Sequence, residues 1–84
     1  MEEAKTRKLN AMEIAFIRKY VEDTTPTASS LFESQVAKGN ATVTEKPGFV
    51  TMMIGNIDVE ITSGGDYNGL NIQMWYCGTP ITEI

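Results

Sequence analysis

The clearest pattern of apolar and polar positions lies in the segment FVTMMIGNIDVEIT, residues 49–62. Apolar and polar residues alternate with a period of two on both sides of Gly55-Asn56, a pair typical of tight β-hairpin turns. A turn there brings six apolar side chains to one face of the hairpin, namely Val50, Met52, Ile54, Ile57, Val59 and Ile61. A slip of one residue would bury Asp58 and Glu60, so the pattern specifies the register strongly.

Two further strands are expected beside this hairpin. Residues 41–45 alternate in the same way, and Lys46-Pro47-Gly48-Phe49 matches a type II turn, with Pro second and Gly third. Residues 70–77 form the last strand, after an expected loop of seven residues at Ser63–Gly69. The predicted strands are therefore about 41–45, 49–54, 57–62 and 70–77.

The N-terminal part follows a helical period instead. Over residues 2–23 the apolar side chains fill an arc of roughly 200° at 100° per residue, and Pro26 ends the helix at Thr25. A second helix is expected at about residues 28–38, from the capping pattern Ser30-x-x-Glu33. Glu13 falls inside the apolar arc, and two interpretations are open. Either it lies at the rim and reaches water, or it is buried with a raised pKa or a tyrosine partner.

The expected fold class is α+β, with two N-terminal helices packed on one face of a four-stranded antiparallel β-meander. A chain of 84 residues is too short for two independent cores, so residues 1–84 are expected to form a single domain. The wide apolar arc of the first helix and the small core predict a homodimer or a higher oligomer.

Composition narrows the classes of function. The chain has no histidine and one cysteine, which excludes Ser-His-Asp, Cys-His and histidine–metal chemistry. We therefore expect no catalytic residue, no metal and no cofactor. An enzymatic function ranks below the two binding functions described below. The charged start MEEAKTRK and the absence of a long apolar run predict a cytoplasmic protein without a membrane span.

Charge is distributed unevenly along the chain. All seven Lys and Arg lie in residues 1–46, whereas residues 47–84 carry only acids, namely Asp58, Glu60, Asp66 and Glu83, and the net charge is −4. A sheet without cations predicts no direct binding of nucleic acid.

Most of the candidate partner-binding residues lie on the strand face opposite the expected helices. Phe49, Met53 and Trp75 alternate onto that face beside acidic residues, and apolar side chains ringed by charge are typical of a contact surface. The complete candidate set is Phe49, Met53, Trp75, Asp58, Glu60, Asp66 and Tyr67. A second interpretation is that the C-terminal tail or the Ser63–Gly69 loop covers the apolar members.

The sequence thus favours a small acidic non-enzymatic protein-binding module that engages a basic protein partner through its open sheet face. An inhibitor or accessory factor of a phage or mobile-element type has this character. The alternative is a small-ligand-binding homo-oligomer with a pocket at the subunit interface. That pocket would be lined by Tyr67, Tyr76 and Trp75, with Arg7, Lys8, Arg18 or Lys19 to hold an anion.

Overall fold

The computed structural model describes residues 4–84. They form two α-helices, α1 (Ala11–Thr24) and α2 (Ser29–Val36), with 3₁₀ turns at Pro26–Ala28 and Ile81–Glu83. The strands are β1 (Lys5–Lys8), β2 (Thr42–Lys46), β3 (Phe49–Ile54), β4 (Ile57–Tyr67), β5 (Leu70–Tyr76) and β6 (Thr79–Pro80). They make one antiparallel sheet in the order β1-β2-β3-β4-β5-β6. The α+β class with an antiparallel sheet is confirmed, but the expected four strands are wrong, because the sheet has six.

The central hairpin has the register that its alternation predicts. Ile54 lies opposite Ile57, and Met52 lies opposite Val59. Ile57 and Val59 are both 0% exposed, so this hairpin supplies the centre of the core.

The predicted helix over residues 2–23 is wrong at its N-terminal end. Residues 5–8 form β1, which pairs with β2, and α1 begins only at Ala11. Asn10 fixes that start through a capping box. Its Oδ1 accepts the Glu13 N–H at 2.8 Å, and the Glu13 Oε1 accepts the Asn10 N–H at 2.9 Å. Glu2 and Glu3, the first residues of the predicted helix, lie outside the described residues.

The second helix is shorter than expected and is capped differently. It spans Ser29–Val36, its N-cap is Ala28, and no side chain caps it. The expected capping box at Ser30 is therefore wrong. Glu33, its expected member, instead accepts two hydrogen bonds from Arg18 of α1, at 2.6 and 3.0 Å.

The expected Ser63–Gly69 loop is also wrong, because most of it belongs to strand β4. Ser63 and Tyr67 both pair with Leu70, so the intervening residues form a bulge. The turn into β5 is Asn68-Gly69, with φ values of 54° and 80°. Cys77-Gly78, with φ values of 49° and 86°, makes a second tight turn into the unexpected strand β6.

Both helices and the sheet contribute to one buried core cluster. Ile17 and Val21 of α1 and Phe32 of α2 are at most 1% exposed and belong to the same cluster as Val43 and Val59. Hydrogen bonds join the helices to the sheet at strand β5 and at the turn between β3 and β4. The Tyr20 hydroxyl donates to the Ile72 carbonyl at 3.0 Å, and the Asn56 N–H donates to the Gln35 Oε1 at 2.9 Å. No helix in residues 4–84 is long and apolar enough to cross a membrane.

Candidate functional site

Strand pairing arranges the side chains of one sheet face in rows, and we call this surface the Trp75 face. One row crosses all six strands and consists of Lys8, Thr42, Met53, Asp58, Trp75 and Pro80. The next row along the strands consists of Thr6, Thr44, Thr51, Glu60 and Gln73. The pairing therefore places Asp58 between Met53 and Trp75, with Glu60 in the neighbouring row.

These residues border a shallow depression of about 340 Å³. Thr51, Met53, Asp58, Glu60, Trp75 and Gly78 line it, together with Met52 and Val59. Met53 is 46% exposed, Trp75 is half-buried, and Asp58 and Glu60 are exposed. Four of the seven predicted partner-binding residues thus meet at one place on the surface.

The C-terminal tail does not bury Trp75. It pairs beside β5 as strand β6, where Pro80 lies opposite Trp75. Ile81 packs into the core at 4% exposure, whereas Ile84 is 48% exposed.

The two acids of the depression are not neutralised by ion pairs within residues 4–84. The ion pairs of that region are Arg7–Glu13, Arg7–Glu45, Arg18–Glu33 and Lys19–Asp23. Lys8 shares the row of Asp58 but lies three strands away, which is about 14 Å between backbones. The depression is therefore anionic at its border and apolar beside it, an arrangement suited to a ligand that is both cationic and apolar.

Phe49 lies on the same face but outside the depression. It is four residues from Met53 along β3, a separation of about 13 Å. Its neighbour is Lys46, whose Nζ stands 6.0 Å from the centre of the Phe49 ring. Phe49 would therefore contribute only to a contact that extends along the strands.

Tyr67 and Asp66 lie elsewhere. The Tyr67 ring packs edge-to-face against Phe16 and Tyr20 of α1, with ring centres 5.8 and 5.0 Å apart. Its hydroxyl donates to the Asp23 Oδ2 at 3.1 Å, and desolvation together with that carboxylate raises the pKa of Tyr67. Asp66 lines a second depression beside Tyr67 and Tyr20. Both residues are thus separate from the Met53–Trp75 depression.

The residues expected to form a small-ligand pocket do not converge within one chain. Tyr67 packs on α1, while Trp75 belongs to the Trp75 face. Three of the four candidate anion-binding cations are engaged in ion pairs, namely Arg7, Arg18 and Lys19. A pocket between subunits stays a prediction.

Sequence reasoning missed two cations of the Trp75 face, one on strand β1 and one at the end of strand β2. Lys8 of β1 and Lys46 of β2 both belong to rows of the Trp75 face, so the expectation of a sheet without cations is wrong. Thr6 and Thr44 are joined there by a hydroxyl hydrogen bond of 2.8 Å. The signal that could have found β1 is Asn10-x-x-Glu13, a capping pattern that places the helix start after Lys8.

Across residues 4–84 no group of three or more Cys, Asp or Glu side chains is placed to hold a metal ion. Comparison with protein-family models, curated proteins and solved structures finds no match to this chain.

Proposed function

We propose that the protein is a small non-enzymatic binding module that engages a basic protein partner through the Trp75 face. The observation that carries the proposal is the position of Asp58. It is exposed, has no ion-pair partner in the described part of the chain, and lies between Met53 and Trp75 in one row. Interfaces draw affinity from a few aromatic and Met anchors, while neighbouring charges steer association.

The proposal assumes that α1 and α2 cover the opposite face of the sheet. Supporting this, Ile17 and Phe32 share the buried cluster that contains Val59. The hydrogen bonds from Tyr20 to β5 and from Asn56 to α2 also hold the helices against the sheet. With one face covered, the Trp75 face is the sheet surface left to a partner.

Charge supports a basic partner. The net charge is −4, and Asp58 and Glu60 border the depression. A protein with this distribution is suited to act as an inhibitor or accessory factor that occupies a positively charged groove.

Trp75→Ala should weaken the complex by about 2 kcal/mol or more, chiefly through faster dissociation, because it removes the aromatic anchor.

Asp58→Asn combined with Glu60→Gln should instead slow association and flatten its salt dependence. The measurement is affinity capture with the purified chain and its variants, followed by surface plasmon resonance on the purified partner at two salt concentrations.

Met12→Ala is the matched control for Met53→Ala. Met12 is 83% exposed on α1, so this variant removes the same kind of side chain at a position away from the sheet. A specific partner is recovered by the wild type and by Met12→Ala, and is lost with Trp75→Ala and Met53→Ala. Equal recovery by all variants would contradict the proposal. A second result would also contradict the proposal. In it, Trp75→Ala loses the partner and has a lower melting temperature, whereas Met53→Ala still binds the partner normally.

A further inference from the structure

One acid of the Trp75 face has a sulfur-containing side chain on one side and an indole on the other. Asp58 is paired with Met53 on β3 and with Trp75 on β5. Directly opposed residues have Cβ atoms about 5 Å apart, so all three side chains are in reach of one small group. Glu60 follows two positions along β4, about 7 Å away, and lines the same depression.

We infer that this depression binds an arginine side chain of the partner, an inference that rests on the proposed function. A guanidinium is planar, stacks on an indole face and donates two parallel N–H groups to a carboxylate. Trp75 supplies the indole and Asp58 the carboxylate. Met53, which is 46% exposed, supplies an apolar contact for the methylene stem.

The arrangement favours arginine over lysine. A lysine ammonium would satisfy the charge of Asp58, but it has no plane to stack on Trp75 and keeps its hydration more strongly. The five donors of a guanidinium also allow contact with Glu60 in the next row while the pair with Asp58 is kept.

The arginine comes from a different protein rather than from a second copy of this chain. Both arginines of the sequence are already engaged. Arg7 donates to Glu13 at 2.9 and 2.7 Å and to Glu45 at 3.0 Å. Arg18 donates to Glu33 at 2.6 and 3.0 Å. A second copy therefore has no free guanidinium to offer.

The test uses the fluorescence of Trp75, which is the single tryptophan of the chain. The probes are three capped tripeptides, acetyl-Gly-X-Gly-amide, in which X is arginine, lysine or citrulline. Citrulline keeps the planar head but carries no charge. The arginine peptide should give a saturable change in fluorescence. Its affinity should be about fivefold higher than that of the lysine peptide, and it should exceed the affinity of the citrulline peptide by a larger factor. Asp58→Asn should weaken arginine binding about tenfold. Glu22→Gln, which changes an exposed acid on α1 away from the depression, should leave it unchanged.

Equal affinities for the three peptides would overturn the arginine inference. Unchanged affinity of Asp58→Asn for the arginine peptide would overturn it as well. The variants are exposed and isosteric, and their melting temperatures verify the fold. The two proposals fail separately. If a partner depends on Trp75 and Met53 but the peptides are not discriminated, the arginine inference is wrong and the binding face stands. If partner recovery is independent of both residues, the proposed function is wrong.

Discussion

Gly55 shows how one residue ties the central hairpin to a helix. Its φ is 60°, and a Cβ added there would lie 2.5 Å from the Gln35 Oε1 and 2.9 Å from the Gln35 Cβ. Gln35 is 4% exposed, and its Oε1 accepts the Asn56 N–H at 2.9 Å. The turn thus needs glycine both for its backbone conformation and for the close approach of α2.

Gly55→Ala should therefore destabilise the protein more than Gly48→Ala. Gly48 has a similar φ of 72° but nothing within 4 Å of an added Cβ, so it isolates the backbone strain. We expect a loss of about 1 kcal/mol for Gly48→Ala and about 2–3 kcal/mol for Gly55→Ala, measured by urea unfolding. Equal losses would mean that the Gln35 contact is unimportant.

At the scale of elements, Glu13 joins β1 to α1. It accepts two hydrogen bonds from Arg7 of β1 and also completes the capping box of α1. These contacts, the Arg7 hydrogen bond first, lower the pKa of Glu13 from 4.5 to about 2. The interpretation of a buried carboxylate with a raised pKa is therefore wrong in sign, and the side chain is 24% exposed.

Glu13→Gln should remove the charge pair with Arg7 but keep the capping box, since glutamine also serves at that position. The expected loss is roughly 0.5–1 kcal/mol at pH 7. Because the folded-state pKa is depressed, the contribution of Glu13 is complete above pH 4.5 and disappears as the pH falls toward about 2. Wild type and variant should therefore converge in stability in that interval, as followed by urea unfolding. Met12→Ala, on the same helix and without a titratable group, should differ from the wild type by the same amount throughout that interval.

The elements that the sequence predicts correctly are those specified by neighbouring residues. Alternation and the Gly55-Asn56 turn determine the β3–β4 register locally. Strand β1 escapes such reasoning, because its four residues are exposed and their partners in β2 lie more than thirty positions later. The β4 bulge does not follow from the sequence pattern, because the hairpin turn signal Asn68-Gly69 lies inside the expected loop Ser63–Gly69.

The candidate site was predictable to the same extent. Met53 and Asp58 share a row because β3 and β4 have the predicted register. The sequence specifies no register between β4 and β5, so alternation places Trp75 on the same face but not in the row of Asp58. Tyr67 was misplaced because the bulge after Ser63 turns it toward α1, and alternation alone does not report a bulge.

At the scale of the whole molecule, the oligomeric state stays a prediction. The expectation of an oligomer rests on the apolar arc of a helix over residues 2–23, whereas α1 spans only Ala11–Thr24. In the structure Ile17 and Val21 of α1 are buried, while Met12 is 83% exposed. Light scattering at about 50 µM should give a mass near twice 9.3 kDa if the small core is completed by association. A mass near 9.3 kDa would show that one chain is sufficient.

The two outer strands decide whether the sheet can grow. At one edge β1 carries Lys5 and Lys8, and at the other edge β6 has two residues, one of them Pro80. Lysine and proline at edges discourage pairing with a further strand. We therefore expect strand β1 to protect the edge of β2 from pairing with a strand of another chain. Detaching β1 would expose the edge of β2, at Thr42–Lys46, and leave a template for cross-β aggregation.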